Sequence, residues 1–216
     1  VISASHNPYE DNGIKIFSAA GHKLSDHQEN EIENLVLNEK LEQMVPASNE
    51  IGIGSYLDEA PNKYITFLKN TFPSDLSMKR LKVVLDTANG ATSMIAPAVF
   101  HELAADVTVI HNHPNGLNIN ENCGSQHTHD LEEHVKETGA AVGLAFDGDG
   151  DRLMAVDEKG HTLTGDQILM VCAKGLKDQD RLKNNRIVST VMSNLGLKTA
   201  CKKHGIEHLM SQVGDR

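Results

Sequence analysis

Beyond Leu81 the apolar positions gather into short runs separated by polar, helix-length stretches. Runs at 81–86 (LKVVLD), 106–110 (DVTVI), 141–147 (AVGLAFD) and 152–157 (RLMAVD) have strand length and are rich in Val, Leu and Ile. Between them, 91–103 fits a helix interrupted by Pro97. The stretch 130–138 fits a second helix, with Asp130 and Glu133 as a capping box and Gly139 as its stop. A further block repeats the rhythm: helix 166–174, strand 186–191, helix 195–204 closed by Gly205, strand 206–210. Strands alternating with helices of about ten residues predict βαβ units. The fold class expected is α/β, with mixed, mainly parallel sheets and flanking helices in repeated domains. In such sheets, function collects in loops beyond the carboxyl ends of the strands.

The amino-terminal part reads differently. A short strand is expected at 14–17 and a turn at Gly21. A helix should start at Ser25, where Ser25 and Gln28 form a capping box and Ile32, Leu35 and Val36 share a face. Periodicity fades over 41–54, and the glycines at 52 and 54 read as linker. Residues 55–72 predict a helix with Tyr56, Tyr64, Phe67 and Leu68 as packing residues. Three units follow: 1–50 as the end of a first α/β domain, 55–157 as a complete second, and 158–216 as the start of a third. The chain opens on VISAS, without Met and in what reads as the end of a buried strand, and stops at SQVGDR. Both ends are those expected of a piece of a longer protein.

Composition narrows the function classes. Aromatics make up 4% and Trp is absent, so the core must be aliphatic. Thirty Asp and Glu against 20 Lys and Arg give a net charge of −10, which argues against nucleic acid as a partner. No run of 18 apolar residues and no signal-like start are seen, so no membrane association is expected. Cys123, Cys172 and Cys201 lack metal-like spacing and read as buried, reduced thiols of a cytoplasmic protein.

The sharpest chemical signal is AFDGDGDRL. A strand runs out into Asp147, Asp149 and Asp151, separated by single glycines. Alternate positions of an extended loop point the same way, so the three carboxylates can converge. Converging anions call for a hard divalent cation, and Mg²⁺ suits carboxylate and phosphate oxygens. A solvated acidic turn and a calcium loop closed by Glu158 are alternatives, although Arg152 stands where a calcium loop needs glycine. A phosphatase with Asp147 as nucleophile is a third. Arg152 suits phosphate binding under either phosphoryl reading.

A second loop, SASHNPYEDNGIK, places Ser5 and His6 among turn formers and ahead of Lys15. A serine hydroxyl is a weak nucleophile without a base or metal to help it. A metal on the aspartate loop could serve Ser5, and His6 and Lys15 are near enough in sequence to offer proton transfer or charge.

ISASHNPYEDNGIK together with AFDGDGDRLMAVD resembles the α-D-phosphohexomutase superfamily. GLNINENCGSQHT, TGDQIL, STVMSNLGL and the terminal VGDR point to its glucosamine branch. Gln126 and Thr87 depart from the pattern, where Thr and Gly are usual. The resemblance implies that Ser5 is a phosphoserine donating and recovering a phosphoryl group. Asp147, Asp149 and Asp151 would hold one Mg²⁺, with a Ser5 phosphate oxygen completing the set. Lys15 would serve acid–base work, Arg152 would contact phosphate, and His6 belongs to the serine loop without a defined role. The implied reaction interconverts glucosamine 6-phosphate and glucosamine 1-phosphate through a 1,6-bisphosphate. Its partners are small sugar phosphates, and a homo-oligomer is left open. The loops for the sugar and its far phosphate would lie outside this chain, so the chain alone is expected to be inactive. A glucose or mannose phosphate mutase of the same superfamily, or a non-catalytic metal-binding module, remains the alternative.

Overall fold

The computed structural model describes residues 1–38, 45–47 and 49–214. The start of the linker expected at Leu41 lies outside the described residues.

The central sheet is built around β3 (Lys82–Asp86), which is flanked by parallel β4 (Asp106–Ile110) and β5 (Val142–Phe146). Antiparallel β6 (Leu153–Asp157) and β7 (Thr162–Leu163) complete the strand order β4-β3-β5-β6-β7. The sheet is therefore mixed and continues through Leu163, past the break expected after Asp157.

β3 reads as an unbroken apolar run because both of its faces are covered. Val84 packs with Leu131, Val135, Ala145 and Val156 on the side of helix α4 (His129–Thr138). Val83 and Leu85 pack with Ala96 and Ala105 on the side of α3 (Thr92–Glu102). The chain passes from β3 through α3 to β4, then back across β3 through α4 to β5. The winding thus reverses between β3 and β5, and the crevice beyond their carboxyl ends is the expected place for a site.

Several helix termini differ from expectation. α4 ends at Gly139, which adopts φ 62 as a left-handed stop. Its start, however, is Thr128, whose hydroxyl meets the Glu132 carboxylate, rather than an Asp130–Glu133 box. α2 (Ala60–Thr71) begins five residues later than the sequence suggested, with Pro61 in its first turn. Its buried residue is Ile65, whereas Tyr56 and Phe67 are exposed and Tyr64 stacks on Phe67. α1 (Asp26–Leu37) carries the expected Ser25–Gln28 capping box.

In the last block, β8 (Arg186–Thr190) and β9 (Glu207–Ser211) pair in parallel. Ala173, on α5 (Gly165–Asp178), and Leu197 and Cys201, on α6 (Leu195–Lys203), form a small core with Ile206. Cys123 and Cys201 are buried, but Cys172 lies exposed on α5, against the expectation for all three.

At the amino terminus, β1 (Ile2–Ser3) and β2 (Gly13–Ile14) form a two-stranded antiparallel hairpin. The strand expected at 14–17 is cut to its first residue plus Gly13. Val1 and Ile2 are exposed rather than buried among the described residues. Among the described residues, no helix is long and apolar enough to cross a membrane.

Candidate active site

The hairpin register sets the first half of the site. Ser3 pairs with Gly13, and Lys15 exchanges backbone hydrogen bonds with Val1. Side chains alternate along a strand, so Ser3 and Lys15 share a face. Both reach one oxygen: the Ser3 hydroxyl donates to Asp149 Oδ2 at 2.7 Å, and Lys15 Nζ donates to the same atom at 2.9 Å. Two loops separated by more than 130 residues therefore meet at Asp149.

Ser5 sits between these strands with φ 52, a left-handed conformation uncommon for a non-glycine residue. Its N–H donates to Ser3 Oγ at 2.9 Å, and its carbonyl accepts from the Asn120 amide at 2.9 Å. Its hydroxyl lies 3.2 Å from His6 Nδ1. The serine thus has a base within hydrogen-bond reach.

The second half of the site is the loop leaving β5. Asp147 is 1% exposed; its Oδ1 accepts the Arg152 backbone N–H at 3.0 Å. The loop is pulled against the neighbouring β3–α3 turn, where Ala91 N–H donates to the Gly148 carbonyl at 2.8 Å. Position 148 must be glycine for the two halves to touch. A β-carbon there would stand 2.5 Å from the Ser5 carbonyl oxygen and 2.7 Å from the Asn120 amide nitrogen. Asp147, Asp149 and Asp151 each offer a carboxylate oxygen within 4.8 Å of the others.

Electrostatics at this loop are those of an acidic cluster that Lys15 compensates only in part. Partial desolvation pushes the Asp151 carboxyl above its usual range, and the charges of Asp149 and Asp147 push the same way. Burial also pushes Asp149 up, but hydrogen bonds from Lys15 and Ser3, with the charge of Lys15, more than offset it and hold it low. The hydrogen bond and charge of Asp149 raise Lys15, which is firmly a cation. Asp147 Oδ2 and Asp149 Oδ1 are buried and find no hydrogen-bond partner among the described residues. Buried carboxylate oxygens left bare are costly, and a bound cation would satisfy both. The three aspartates therefore fit a metal. The calcium-loop alternative fails on the backbone, since the residues after Arg152 form β6 and Glu158 lies in the turn beyond it.

Six of the seven residues singled out from sequence have polar side-chain atoms within two interlocking loops. Arg152 is the partial exception. Its backbone caps Asp147, while its half-exposed guanidinium stands 4.0 Å from Asp147 Oδ2. Sequence reasoning passed over Ser3 and Asn120. The period of two along VISAS, which puts Ser3 on the face of Lys15, could have flagged the first. Nothing local marks Asn120, whose partners lie more than 110 residues away.

A second cluster, Asp86, His111 and Cys123, also has metal-ligand chemistry. Asp86 is spoken for: its oxygens accept the N–H groups of Ala88 and Gly124 at 2.9 and 2.8 Å. Burial, then the negative charges of Asp86, Asp130 and Glu121, push the Cys123 thiol up to about 12. The Asp86 hydrogen bonds anchor the loops that follow β3 and β4.

Comparison with known proteins follows the same lines. Family models for the α/β/α domains I, II and III of phosphoglucomutase/phosphomannomutase match residues 1–43, 62–160 and 164–216. The whole chain is 62% identical to phosphoglucosamine mutase of Syntrophobacter fumaroxidans and 54% identical to that of Syntrophus aciditrophicus, covering 48% of each relative. It thus spans about half the length of the curated relatives it matches. Among solved structures, a phosphoglucomutase/phosphomannomutase family protein from Burkholderia thailandensis superposes with a TM-score of 0.73 at 27% identity, over 99% of this chain and 44% of that one. N-acetylphosphoglucosamine mutase of Aspergillus fumigatus, in complex with GlcNAc-6P and magnesium, gives 0.68 at 16% identity, over 99% of this chain and 55% of that one, a likeness of fold.

Proposed function

Since the chain belongs to the phosphoglucomutase/phosphomannomutase family, we propose that it is the phosphoserine and metal half of a cytoplasmic phosphoglucosamine mutase. The protein would interconvert glucosamine 6-phosphate and glucosamine 1-phosphate through a 1,6-bisphosphate. The observation that carries this reading is the convergence of Ser3 and Lys15 on Asp149, which brings the serine loop against the three carboxylates. The similarity to curated phosphoglucosamine mutases supports the choice of sugar.

Ser5 would be the phosphoryl carrier. In the forward direction its phosphate passes to O1 of glucosamine 6-phosphate, and the proton released by the O1 hydroxyl ends on the serine oxygen. In the second half that oxygen attacks the phosphorus at O6 of the turned-over bisphosphate, and O6 keeps the proton. His6 Nδ1, at 3.2 Å, can pass the proton to the serine oxygen in the first step and take it from that oxygen in the second. Lys15, kept protonated by Asp149, would contribute positive charge at the junction of the loops. Asp147, Asp149 and Asp151 would hold Mg²⁺, which supplies positive charge to the transferring phosphoryl group. The Arg152 guanidinium is free enough to turn toward a phosphate.

The test is Ser5→Ala in the full-length enzyme, read by coupled turnover and by intact mass. The parent should carry one phosphate on Ser5, and the variant should lose nearly all turnover. Retention of more than about a tenth of turnover, only about 1.4 kcal/mol in barrier terms, would exclude Ser5 as the carrier.

A further inference from the structure

The asparagine-rich segment that follows β4 has no place in the chemistry above, yet it reaches the nucleophile. Asn120 adopts φ 57, a left-handed conformation that asparagine tolerates better than most residues. Its backbone N–H is fixed to the Ala88 carbonyl at 2.9 Å. Asn118 braces the same arm: its amide donates to the His113 carbonyl at 3.1 Å, and its Oδ1 accepts from Asn115 N–H at 2.9 Å. The arm thus presents the Asn120 side chain from a fixed base. Both hydrogens of that amide are used, one on the Ser5 carbonyl at 2.9 Å and one on the Asn7 carbonyl at 2.8 Å.

We propose that Asn120 is a positioning residue for Ser5, clamping the serine loop in the left-handed conformation that aims its hydroxyl. This rests on the carrier role assigned to Ser5. The Ser5 peptide units are held on both sides, by Ser3 Oγ at the N–H and by Asn120 at the carbonyl. The φ of 52 is a conformation that relaxes unless its surroundings hold it. The clamp also touches the metal loop, because the glycine at 148 leaves room for both the Ser5 carbonyl and the Asn120 amide. Phosphoryl transfer depends on alignment of the attacking oxygen, and a misplacement of about 1 Å can cost about 100-fold in rate. Asn120 contacts none of the three carboxylates in the hydrogen bonds it makes, so its loss should act on alignment rather than on metal affinity.

The decisive variant in the full-length enzyme is Asn120→Gly, which removes the amide while permitting the left-handed backbone. Asn122→Gly is the control: Asn122 is exposed, has φ 52 and lies two residues away on the same arm. We expect kcat to fall about 10- to 100-fold in Asn120→Gly, with KM within about threefold. The rate of Ser5 labelling by a sugar 1,6-bisphosphate should fall in proportion, and the Mg²⁺-dependent melting shift should be unchanged. Asn122→Gly should stay within about twofold of the parent. Should Asn120→Gly lose its cooperative melt, Asn120→Asp decides: it is isosteric but turns an acceptor toward two carbonyls, and should lose at least as much kcat. Turnover within twofold of the parent, a loss confined to KM, a loss matched by Asn122→Gly, or a parallel loss of Mg²⁺ stabilisation overturns the proposal. Ser5→Ala run alongside separates the two readings, because turnover surviving there removes the carrier role and leaves the Asn120 result to be judged on its own.

Discussion

Asp149→Asn separates the metal role of the cluster from its structural role. Asp149 lies within 4.8 Å of Asp147 and Asp151, so each like-charge pair costs about 3.5 kcal/mol at an effective dielectric of 20 and about 1 kcal/mol toward that of water. Removing the central charge relieves two such pairs. The losses oppose this, because the contacts to Lys15 and Ser3 hold the Asp149 pKa low. Lys15 is half-exposed, and ion pairs of that kind contribute about 0.2–1 kcal/mol. Ser3 can still donate to the asparagine carbonyl, giving up only part of a charged hydrogen bond, about 1 kcal/mol. Metal-free stability should therefore stay close to that of the parent, since the relieved repulsion and the lost contacts to Lys15 and Ser3 oppose each other. The metal-bound state loses more, because one ligand is gone. At a Mg²⁺ concentration 100 times the parent Kd, binding adds about 2.7 kcal/mol of stability; a 100-fold weaker site adds about 0.4 kcal/mol under the same conditions. Thermal melts of the full-length enzyme, with and without Mg²⁺, read both numbers. The variant should melt within a few degrees of the parent without metal and lose most of the Mg²⁺-dependent rise. An unchanged rise would refute the metal assignment, and a drop of several degrees without metal would refute the repulsion argument.

Gly148→Ala should pry the serine and aspartate loops apart, since its β-carbon would stand 2.5 Å from the Ser5 carbonyl oxygen. A loss of about 1–3 kcal/mol in stability, with turnover falling more than tenfold, is expected from melts and coupled assays; normal turnover would show that the loops need not touch. Glu132 tests the α4–β7 junction, where its carboxylate accepts from Thr162 at 2.6 Å and from Thr128 at 3.1 Å. The Thr162 hydrogen bond chiefly holds its pKa below the usual 4.5, more than offsetting its partial desolvation. A depressed folded-state pKa stabilises above the unfolded value and is lost as pH falls through the folded one. Glu132→Gln should thus be less stable than the parent at neutral pH, with the gap closing below about pH 4; a gap independent of pH in a melting series would contradict this.

Much of this protein is written locally. The alternation of apolar runs with helix-length segments marks β3, α3, β4, α4 and β5, because central strands covered on both faces must be continuously apolar. Ser25 with Gln28 and Gly139 mark their helix ends, because a cap is an exchange among neighbours. The aspartates at 147, 149 and 151 announce a cation because three carboxylates on one short loop have few other uses. Tertiary structure decided what depends on distant partners. Thr128 starts α4 in place of Asp130, where Glu132 and Thr162 come to meet it. Tyr56 and Phe67 look like core residues but face outward, since periodicity names a face without naming what covers it. Ser3 and Asn120 are ordinary polar residues in the sequence. They acquire their roles only when the hairpin register turns Ser3 toward Asp149 and the arm after β4 lays Asn120 across Ser5, contacts whose partners lie 146 and 115 residues away. A sequence shows which groups can bond; the winding of the chain between β3 and β5 settles which of them do.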